Sequence, residues 1–430
     1  WGALREVAAT RRAQAVVVRG AAGHGKSRLV EWVAERADEV GAAIVLRATH
    51  SPIASEADGL PRLIARHLRA VGLDRAAVRE RARALLERRG GGDPYAWNAL
   101  TELVVPSGEA SEAGEPIIRF ASADERHTLL GDVLVRLAGE RPVLVWIDDA
   151  QWGGDALGFV ASLLGRAAEQ DAAILVVLTV RDEALAERPI EAQALAELSR
   201  HPAVRTLEVP RLPRGEHRRL VEELLRLEPG LAARVAERTD GNPLFAVQLV
   251  GDWVERGVLV PTARGLALEA GEDGRIPDDI HGLWTTRIAR VLERHGPDAR
   301  RALELAAVLG NEVDAAEWRA LAEEARVRVP PTLMLDLIGA RLAEPTQQGW
   351  IFAHGMVRES IQRDVAEAGR TALLHRAAAA MLVHRHAAGV RGVAERIGRH
   401  LWAAGDARAA LAPLLRAATE YWEASELEAN

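Results

Sequence analysis

The chain has 430 residues, 48% of them hydrophobic, and a formal net charge of −7. This length predicts roughly two to four domains with full cores, and the acidic balance disfavours a nucleic-acid surface over the whole chain, because phosphate contacts need clustered cations. The absence of cysteine excludes disulfides, thiol catalysis and Cys-ligated zinc and favours a reducing, cytoplasmic location. No apolar run reaches the length of about 18 residues that a membrane span needs, so no membrane contact is expected.

A short β-branched strand from Ala15 to Arg19 leads into a glycine-rich segment at residues 20–27, Gly-Ala-Ala-Gly-His-Gly-Lys-Ser. This segment fits G-x-x-x-x-G-K-[ST], in which backbone N–H groups cradle phosphates and the lysine reaches the β- and γ-phosphates. Lys26 is the only lysine of the chain, beside 54 arginines (55 basic residues minus one). An ammonium fits this narrow loop better than the planar fork of arginine. The single lysine therefore indicates a loop that binds a nucleotide.

The loop and the helix that follows it supply the expected nucleotide contacts. Backbone N–H groups and the helix dipole bind phosphates, and the hydroxyl of Ser27 ligates Mg²⁺. The helix is predicted from Lys26 to about Glu39, with Leu29, Val30 and Val33 as its apolar stripe. The residues expected to contact ATP or ADP here are Gly20, Gly23, His24, Gly25, Lys26, Ser27 and Arg28.

Further apolar segments predict strands that alternate with helices. These strands are predicted at residues 44–46, 143–147, 174–179 and 204–209. Helical sequence is predicted over 61–89 and from Asp124 to Gly139, and the segment 105–118, rich in Gly, Glu, Ser and Pro, is predicted to be a surface loop. Strands alternating with helices imply an α/β P-loop NTPase fold, with a parallel, doubly wound sheet, over residues 1–209.

The strand at 143–147 ends in two carboxylates, as a Walker B strand does. Asp148 lies at the carboxyl edge of the sheet near the bound Mg²⁺, and Asp149 is expected to polarise a lytic water as general base; the alternative is an acidic pair that caps a turn. Arg181 follows the next strand, which lies between the other two in a sheet of this type, so its guanidinium can sense or stabilise the γ-phosphate charge. The alternative for Arg181 is an exposed arginine paired with Asp182 or Glu183.

Beyond the last of these strands the sequence changes to mostly amphipathic helix. We predict a helical lid over 210–277, a winged-helix domain over 278–383 with a short hairpin at residues 347–352, and the start of TPR-like helical repeats over 384–430. One such repeat cannot bury its own apolar face. The chain is therefore expected to be a fragment, with further repeats after it.

Two motifs in the helical region are candidates for ligand contact. Gly and Asn before Pro243 impose an extended turn that opens a helix, and this turn can pack against adenine; the alternative is an ordinary link between two helices. His354 and Arg358 are expected on one helical face at a spacing of i and i+4, with His354 hydrogen-bonded to a β-phosphate. The alternative is a histidine with a structural role in the core or at a cap.

These five elements, in this order, resemble the STAND class of P-loop ATPases, which includes apoptosome proteins, plant resistance proteins and bacterial regulators of the maltose-activator type. In particular, the chain is similar to a bacterial AAA_16-like module of large signalling proteins. In that module a tryptophan-bearing helix precedes the P-loop, D-D-x-x-W forms the Walker B end, and G-N-P, F-x-H and R-x-x-L-H motifs follow. The corresponding residues are Trp1 and residues 20–27, 148–152, 241–243, 352–354 and 370–375.

The resemblance implies roles for individual residues and a mechanism. The roles are Mg²⁺ binding for Asp148, second acid for Asp149, sensor-1 arginine for Arg181, adenine-side lid motif for Pro243 and β-phosphate recognition for His354. The implied mechanism is a signalling switch: ADP clamps the helical domains onto the P-loop domain, ATP opens the chain for self-association, and slow ATP hydrolysis resets it. The resemblance places a protein or small-molecule trigger on the C-terminal repeats and an effector domain outside this fragment.

Two other functions stay open on the sequence alone. One is a DNA-binding AAA+-type regulator that uses its winged helix directly, although the acids among the arginines of 278–383 argue against nucleic-acid binding. The other is a nucleotide-bound scaffold without turnover. A GTPase is excluded because its N-K-x-D motif needs a second lysine, and a protein kinase is excluded because the H-R-D and D-F-G motifs are absent.

Overall fold

The computed structural model describes the chain except for residues 52–58, 89, 91–92, 107–117, 121, 140, 168–170, 187, 270–275, 347, 387–392 and 427–430. Most of the predicted surface loop at 105–118 lies outside the described residues, as does Gln347 of the predicted hairpin. Within the described part, no helix is long and apolar enough to cross a membrane.

The N-terminal part of the chain alternates helices and strands, as its apolar segments predict. Its elements, in chain order, are α1 (Gly2–Thr10), β1 (Gln14–Gly20), α2 (Lys26–Glu39), β2 (Ile44–Thr49), α3 (Gly59–His67), α4 (Arg75–Arg88), α5 (Pro94–Val104), α6 (Ala123–Leu137), β3 (Val143–Asp148), a 3₁₀ helix (Ala150–Trp152), α7 (Gly154–Ala167), β4 (Ile174–Arg181), α8 (Asp182–Leu185), α9 (Pro189–Leu198) and β5 (Val204–Glu208).

The five strands form one parallel sheet in the order β2-β3-β4-β1-β5. Their apolar runs suit a sheet covered on both faces. One core cluster joins the sheet to α3–α7 and α9, and a second joins it to α1 and α2. The predicted α/β P-loop NTPase fold is confirmed. Because β4 lies between β3 and β1, the phosphate loop, the Walker B carboxylates and Arg181 meet at one sheet edge.

Two details of this region differ from the sequence prediction. Leu29, predicted to be buried in the stripe of α2, is 41% exposed. The buried apolar residues of α2 are Val30, Ala34 and Ala37. The helical segment predicted over 61–89 is divided into α3 and α4, because the chain turns between them with positive φ angles at Arg69 (53°) and Gly72 (73°).

The C-terminal part is mostly helical. Its elements are α10 (Arg214–Arg219), a π-helical turn (Leu220–Leu224), α11 (Pro229–Thr239), α12 (Pro243–Arg256), β6 (Leu259–Thr262), β7 (Gly265–Leu268), α13 (Ile280–Leu292), α14 (Asp298–Leu309), β8 (Glu312–Asp314), α15 (Ala315–Glu324), α16 (Leu333–Gly339), β9 (Ala343–Pro345), β10 (Gly349–Phe352), α17 (Gly355–Glu367), α18 (Thr371–Arg385), α19 (Val393–Ala403) and α20 (Ala407–Glu426).

Two small antiparallel sheets interrupt these helices. The hairpin of β6 and β7 is absent from the sequence prediction, because two four-residue strands are too short to show a clear period. The hairpin predicted at 347–352 coincides with β10, which is the middle strand of a three-stranded sheet with the order β8-β10-β9. The sequence therefore locates the central strand and misses both of its neighbours, β8 and β9.

One hydrophobic core runs through most of the C-terminal part, from Val221 to Leu382. Trp253, Trp284 and Trp350 are fully buried in it. Apolar packing is thus continuous across residues 277 and 278, where the sequence predicts the boundary between the lid and the winged-helix domain. After this core, α19 and α20 form a helical hairpin at the place where the sequence predicts the start of helical repeats.

Candidate functional site

The phosphate loop lies between the end of β1 and the first turn of α2. Gly25 precedes α2 with a φ of 91°, a left-handed conformation that glycine adopts without steric conflict. Lys26 is buried, and its Nζ donates to the carbonyl oxygens of Gly20 and Ala21, both at 2.7 Å. Burial lowers the pKa of Lys26, and the positive charge of Arg181 lowers it further. The ammonium is therefore held inside the loop, next to the start of a helix.

Two other predicted loop residues have partners outside the loop. His24 Nδ1 lies 3.2 Å from the carbonyl oxygen of Val209. The side chain of Arg28 is 70% exposed, and its Nη1 donates to Glu31 at 2.8 Å one turn further along α2. The guanidinium of Arg28 therefore does not face the loop, and any nucleotide contact from this residue is limited to its backbone N–H.

The segment directly after β4 also contacts the phosphate loop and the end of β1. Ala22 N donates to Glu183 Oε1 at 2.8 Å, and Arg19 Nε donates to Asp182 Oδ1 at 2.8 Å. Both acids lie in α8, directly after Arg181. The end of β4 is thus linked to β1 and to the phosphate loop by two carboxylates.

Ser27 and Asp148 converge at the carboxyl edge of the sheet. Ser27 Oγ donates to Asp148 Oδ1 at 2.8 Å, and Thr179 Oγ1 donates to the same oxygen at 2.5 Å. Asp148 is buried, and its Oδ2 accepts from Arg47 Nη2 at 2.9 Å. Oxygen donors from one carboxylate and one hydroxyl suit Mg²⁺, which keeps water and phosphate in its remaining positions. Among the described residues, no cluster of three or more His, Cys, Asp or Glu could hold a metal instead.

Asp149 and Arg181, the two predicted catalytic residues, form a bidentate ion pair. Arg181 Nε donates to Asp149 Oδ1 at 2.9 Å, and Nη2 donates to Oδ2 at 2.7 Å. Arg181 Nη1 donates to Glu359 of α17. Burial alone would lower the pKa of Arg181, but the charges of Asp149 and Glu359 raise it above its ordinary value. The side chain is only 17% exposed, so the alternative of an exposed arginine paired with its chain neighbours is wrong.

The backbone at Asp149 is fixed by its surroundings. Its φ of 55° is left-handed, which is uncommon for a residue other than glycine. Its N–H donates to Thr179 Oγ1 at 3.0 Å, and Gln151 Nε2 donates to Asp149 Oδ1 at 3.1 Å. Gln151 Oε1 in turn accepts from the N–H of Arg181 at 3.1 Å. The carboxylate of Asp149 therefore points towards β4 and Arg181.

The Gly-Asn-Pro turn before α12 packs directly on the phosphate loop. Asn242 Nδ2 donates to the carbonyl oxygen of Ala22 at 3.3 Å, and Leu244 N donates to that of Gly23 at 3.3 Å. Asn242 Oδ1 caps α12 by accepting from Phe245 N at 3.1 Å, and Pro243 is the first helical residue. The turn is thus more than a link between two helices, because it joins the predicted lid to the loop. The contact between Pro243 and adenine stays a prediction.

His354 lies at the N-cap of α17 with extended backbone angles (φ −142°, ψ 138°). The expectation that it shares a helical face with Arg358 is wrong, because the helix begins one residue after His354. Gln248 Nε2 of α12 lies 2.9 Å from His354 Nε2 and donates to it, and the ring lies 5.8 Å from that of Trp284. Burial lowers the pKa of His354. The ring of His354 joins the start of α17 to α12 here, and its phosphate contact stays a prediction.

Comparison with known proteins gives one family match. Residues 2–178 match the family profile described as an AAA ATPase domain. This part of the chain therefore resembles the P-loop domain of AAA ATPases. Among curated proteins, none matches the chain significantly.

Several solved structures resemble the chain loosely over most of its length. The Walker-type ATPase of Pyrococcus abyssi is 14% identical, with 84% of this chain and 95% of that chain covered and a TM-score of 0.33. The ORC1 protein of Aeropyrum pernix, solved in complex with DNA, is 15% identical, with 86% and 93% covered and a TM-score of 0.35. CDC6P of Pyrobaculum aerophilum is 13% identical, with 83% and 89% covered and a TM-score of 0.33.

Three further residues of the candidate site escape the sequence analysis. Thr179 binds both Walker B residues, and its signal was a single hydroxyl inside an otherwise apolar strand. Arg47 is likewise a single cation in the strand β2, where it contacts Asp148. Glu359 has no local signal, because its contact with Arg181 joins residues 178 positions apart.

Proposed function

We propose that this protein is an ATP/ADP-dependent signalling switch, in which the nucleotide in the ATPase domain controls whether the C-terminal helices stay docked. The observation that carries this proposal is the double contact of Arg181. Its guanidinium binds Asp149 of the ATPase domain and Glu359 of α17 at the same time. One buried cation thus links the predicted catalytic acid to a helix of the C-terminal part.

In this closed arrangement, the ion pair keeps Asp149 from acting as a base. Both of its carboxylate oxygens accept from Arg181, and Oδ1 also accepts from Gln151. A base that must take a proton from water needs a free oxygen within hydrogen-bond reach of that water. We expect Asp149 to become active only when Arg181 turns towards another anion.

A γ-phosphate is the anion that would draw Arg181 away. The guanidinium would then stabilise the charge of the transferred phosphoryl group, and Asp149 and Glu359 would both be released. Ser27 and Asp148 would hold Mg²⁺, which would neutralise charge at the β- and γ-phosphates when bound. Release of Glu359 would loosen α17, which couples the presence of ATP to domain opening.

The lid gives a second connection between nucleotide and C-terminal part. Asn242 and Leu244 bind carbonyl oxygens of the phosphate loop, and Gln248 of the same helix α12 binds His354. A loop that tightens around phosphates would therefore act on α12 and, through it, on α17. In this proposal Pro243 lies near adenine, and His354 exchanges Gln248 for the β-phosphate of ADP.

Such a switch requires a minimum difference in nucleotide binding free energy between its two states. Moving a population from 1:99 to 99:1 needs a preference of about 5.5 kcal/mol for one state. Contacts that differ between diphosphate and triphosphate, at Lys26, Arg181 and His354, would supply part of it. A protein or small-molecule trigger bound to the C-terminal repeats would supply the rest.

The proposal includes the finer features that the resemblance to STAND ATPases implies. The domain over 278–383 is a winged helix, α19 and α20 begin a TPR-like array, and the opened chain self-associates in the cytoplasm. Hydrolysis is slow and resets the switch. An effector receives the signal, and direct binding to nucleic acid is not part of the function.

The decisive experiment compares Glu359→Ala with Glu367→Ala, an exposed glutamate at the end of the same helix. The release of a fluorescent ADP analogue is followed by stopped flow. We expect Glu359→Ala to release ADP several-fold faster than the wild type, because α17 loses its bond to Arg181, and Glu367→Ala to behave as wild type. Equal release rates for all three proteins would overturn the switch.

Two further measurements separate this switch from its rivals. In single-turnover hydrolysis, Asp149→Asn should be at least about a hundredfold slower than the wild type, the range that general-base catalysis contributes; equal rates would favour a scaffold without turnover. Salt-dependent binding to duplex DNA would favour a DNA-binding regulator.

A further inference from the structure

Arg47 is the third cation of the candidate site, after Lys26 and Arg181, and it contacts Asp148, the predicted Mg²⁺ ligand. It belongs to β2, which pairs with β3 so that Arg47 is opposite Trp146 and two positions from the register of Asp148. Its guanidinium lies over the Trp146 ring, 3.9 Å from the centroid. The side chain is 41% exposed, whereas that of Asp148 is 9% exposed. An accessible arginine thus reaches a nearly enclosed carboxylate from the neighbouring strand.

The contacts divide the carboxylate of Asp148 into two sides. Oδ1 accepts from the hydroxyls of Ser27 and Thr179, which are neutral donors. Oδ2 accepts from Arg47 Nη2 at 2.9 Å, and this is the charged contact. A buried carboxylate is destabilised unless an opposite charge balances it. The positive charge of Arg47 balances the carboxylate of Asp148. A divalent cation beside Ser27 would also place positive charge next to this carboxylate.

We propose that Arg47 is the counter-ion of Asp148 as long as no metal ion is bound. The ion pair between Arg47 and Asp148 must break before Mg²⁺ binds. Two cations within a few ångströms of one carboxylate repel each other strongly in a site of low dielectric. Arg47 therefore sets the magnesium concentration at which the nucleotide is bound tightly. It is a positioning residue, because it acts on the metal through Asp148. The inference rests on the proposed binding of Mg²⁺ and nucleotide at this loop.

The surroundings of Arg47 fit a residue that moves between two places. The face of Trp146 attracts a guanidinium, so the side chain keeps a favourable contact when it leaves Asp148. Its exposure leaves a path to solvent that does not disturb the sheet. By contrast, Arg181 is enclosed by two carboxylates, and its release would change the docking of α17.

The experiment titrates magnesium and uses binding as its readout. The affinity for a fluorescent ATP analogue is measured from EDTA to millimolar Mg²⁺ in the wild type, in Arg47→Met and in Arg36→Met. Methionine keeps an unbranched apolar stem over Trp146 and removes the charge. Arg36 is the matched control, since it is an exposed arginine of α2 paired with Glu39 at 2.7 Å. Arg47→Gln is the second variant, and urea unfolding verifies that each protein is folded.

We expect the magnesium midpoint to fall about tenfold in both Arg47 variants and to stay unchanged in Arg36→Met. An unchanged or higher midpoint in folded Arg47 variants would overturn the inference, since Arg47 would then only hold Asp148 in place. A wild type that binds no nucleotide at any magnesium concentration would instead refute the proposed function. The two failures are therefore distinguishable.

Discussion

Gly23 of the phosphate loop lies against Asn242 of the turn before α12, with no space for a side chain between them. A Cβ added at Gly23 would lie 2.6 Å from Asn242 Oδ1 and 2.7 Å from Nδ2. The φ of Gly23 is 79°, which a larger residue adopts with strain. The second glycine of the loop is therefore also the surface on which the predicted lid rests.

Gly23→Ala should separate the turn before α12 from the phosphate loop. We expect affinity for ADP to fall at least about tenfold, because the methyl group displaces Asn242 and strains the loop; this corresponds to about 1.4 kcal/mol. Isothermal titration calorimetry measures the change. Gly230→Ala is the control, since Gly230 lies in α11 with nothing within 4 Å of an added Cβ. Asn242→Ala, which removes the contact without strain, should lie between the two, and wild-type affinity in Gly23→Ala would contradict the account.

Lys26→Ala should abolish binding of ATP. The Nζ of Lys26 is buried and bonded only to loop carbonyl oxygens among the contacts of the described residues, so its loss should leave the fold intact while removing the cation for the phosphates. ATP at a hundred times its Kd stabilises a folded protein by about 2.7 kcal/mol. Thermal unfolding with and without Mg-ATP measures this shift. It should vanish in Lys26→Ala and also in Lys26→Arg, and a full shift in either variant would refute the assignment.

The sequence predicted those parts of the site that are encoded locally. A loop pattern read along one stretch of chain identified Lys26 and Ser27, and an apolar strand ending in acid identified Asp148. The alternation of strands and helices predicted a parallel sheet, and in sheets of this type the strand before Arg181 lies between the other two, which places Arg181 at the same edge. Such features depend on backbone geometry that a few neighbouring residues determine.

The contacts between distant segments could not be predicted in the same way. The helical spacing of His354 and Arg358 suggested one shared face, yet the helix starts after the histidine, and cap positions are the least certain part of a helix. Arginine is so abundant in this chain that no pattern marks which one binds Glu359 or Asp148. Tertiary packing decides these partners, and composition carries no information on it.

Thr179→Val should destabilise both the fold and the Walker B end. The hydroxyl of Thr179 is fully buried, donates to Asp148 Oδ1 and accepts from Asp149 N. Valine has the same shape but satisfies neither group, and a buried polar group left unpaired costs about 1–3 kcal/mol. Urea unfolding measures the free energy of unfolding.

The control for this prediction is Thr101→Val. Thr101 is also buried, but its hydroxyl donates to the carbonyl oxygen of Trp97 within helix α5. We expect a smaller loss there, because that carbonyl belongs to a helix that satisfies it through the backbone. If Thr179→Val destabilised the protein no more than Thr101→Val, the two hydrogen bonds of Thr179 would have no special role in stability.

The unfolding free energy should fall below neutral pH because of a buried histidine pair that joins α18 to α19. His375 Nδ1 lies 2.9 Å from His400 Nδ1. Burial and the nearby charge of Arg358 lower the pKa of His375 from 6.5 to about 4. The pKa of His400 is lowered as well, mainly by burial and further by the charges of His375, Arg396 and Arg358. Both rings are therefore neutral in the folded protein at neutral pH.

The direction follows from proton uptake. Below a pH of about 6.5 the unfolded chain binds protons that the folded chain excludes, so stability is complete above this pH and is lost towards about 4, by at most about 3 kcal/mol for His375. His375→Gln should flatten the decrease in urea midpoints between pH 7 and 4.5. His384→Gln, at an exposed histidine of the same helix, should keep the wild-type slope. An equally steep decrease in His375→Gln would show that other groups cause the loss of stability.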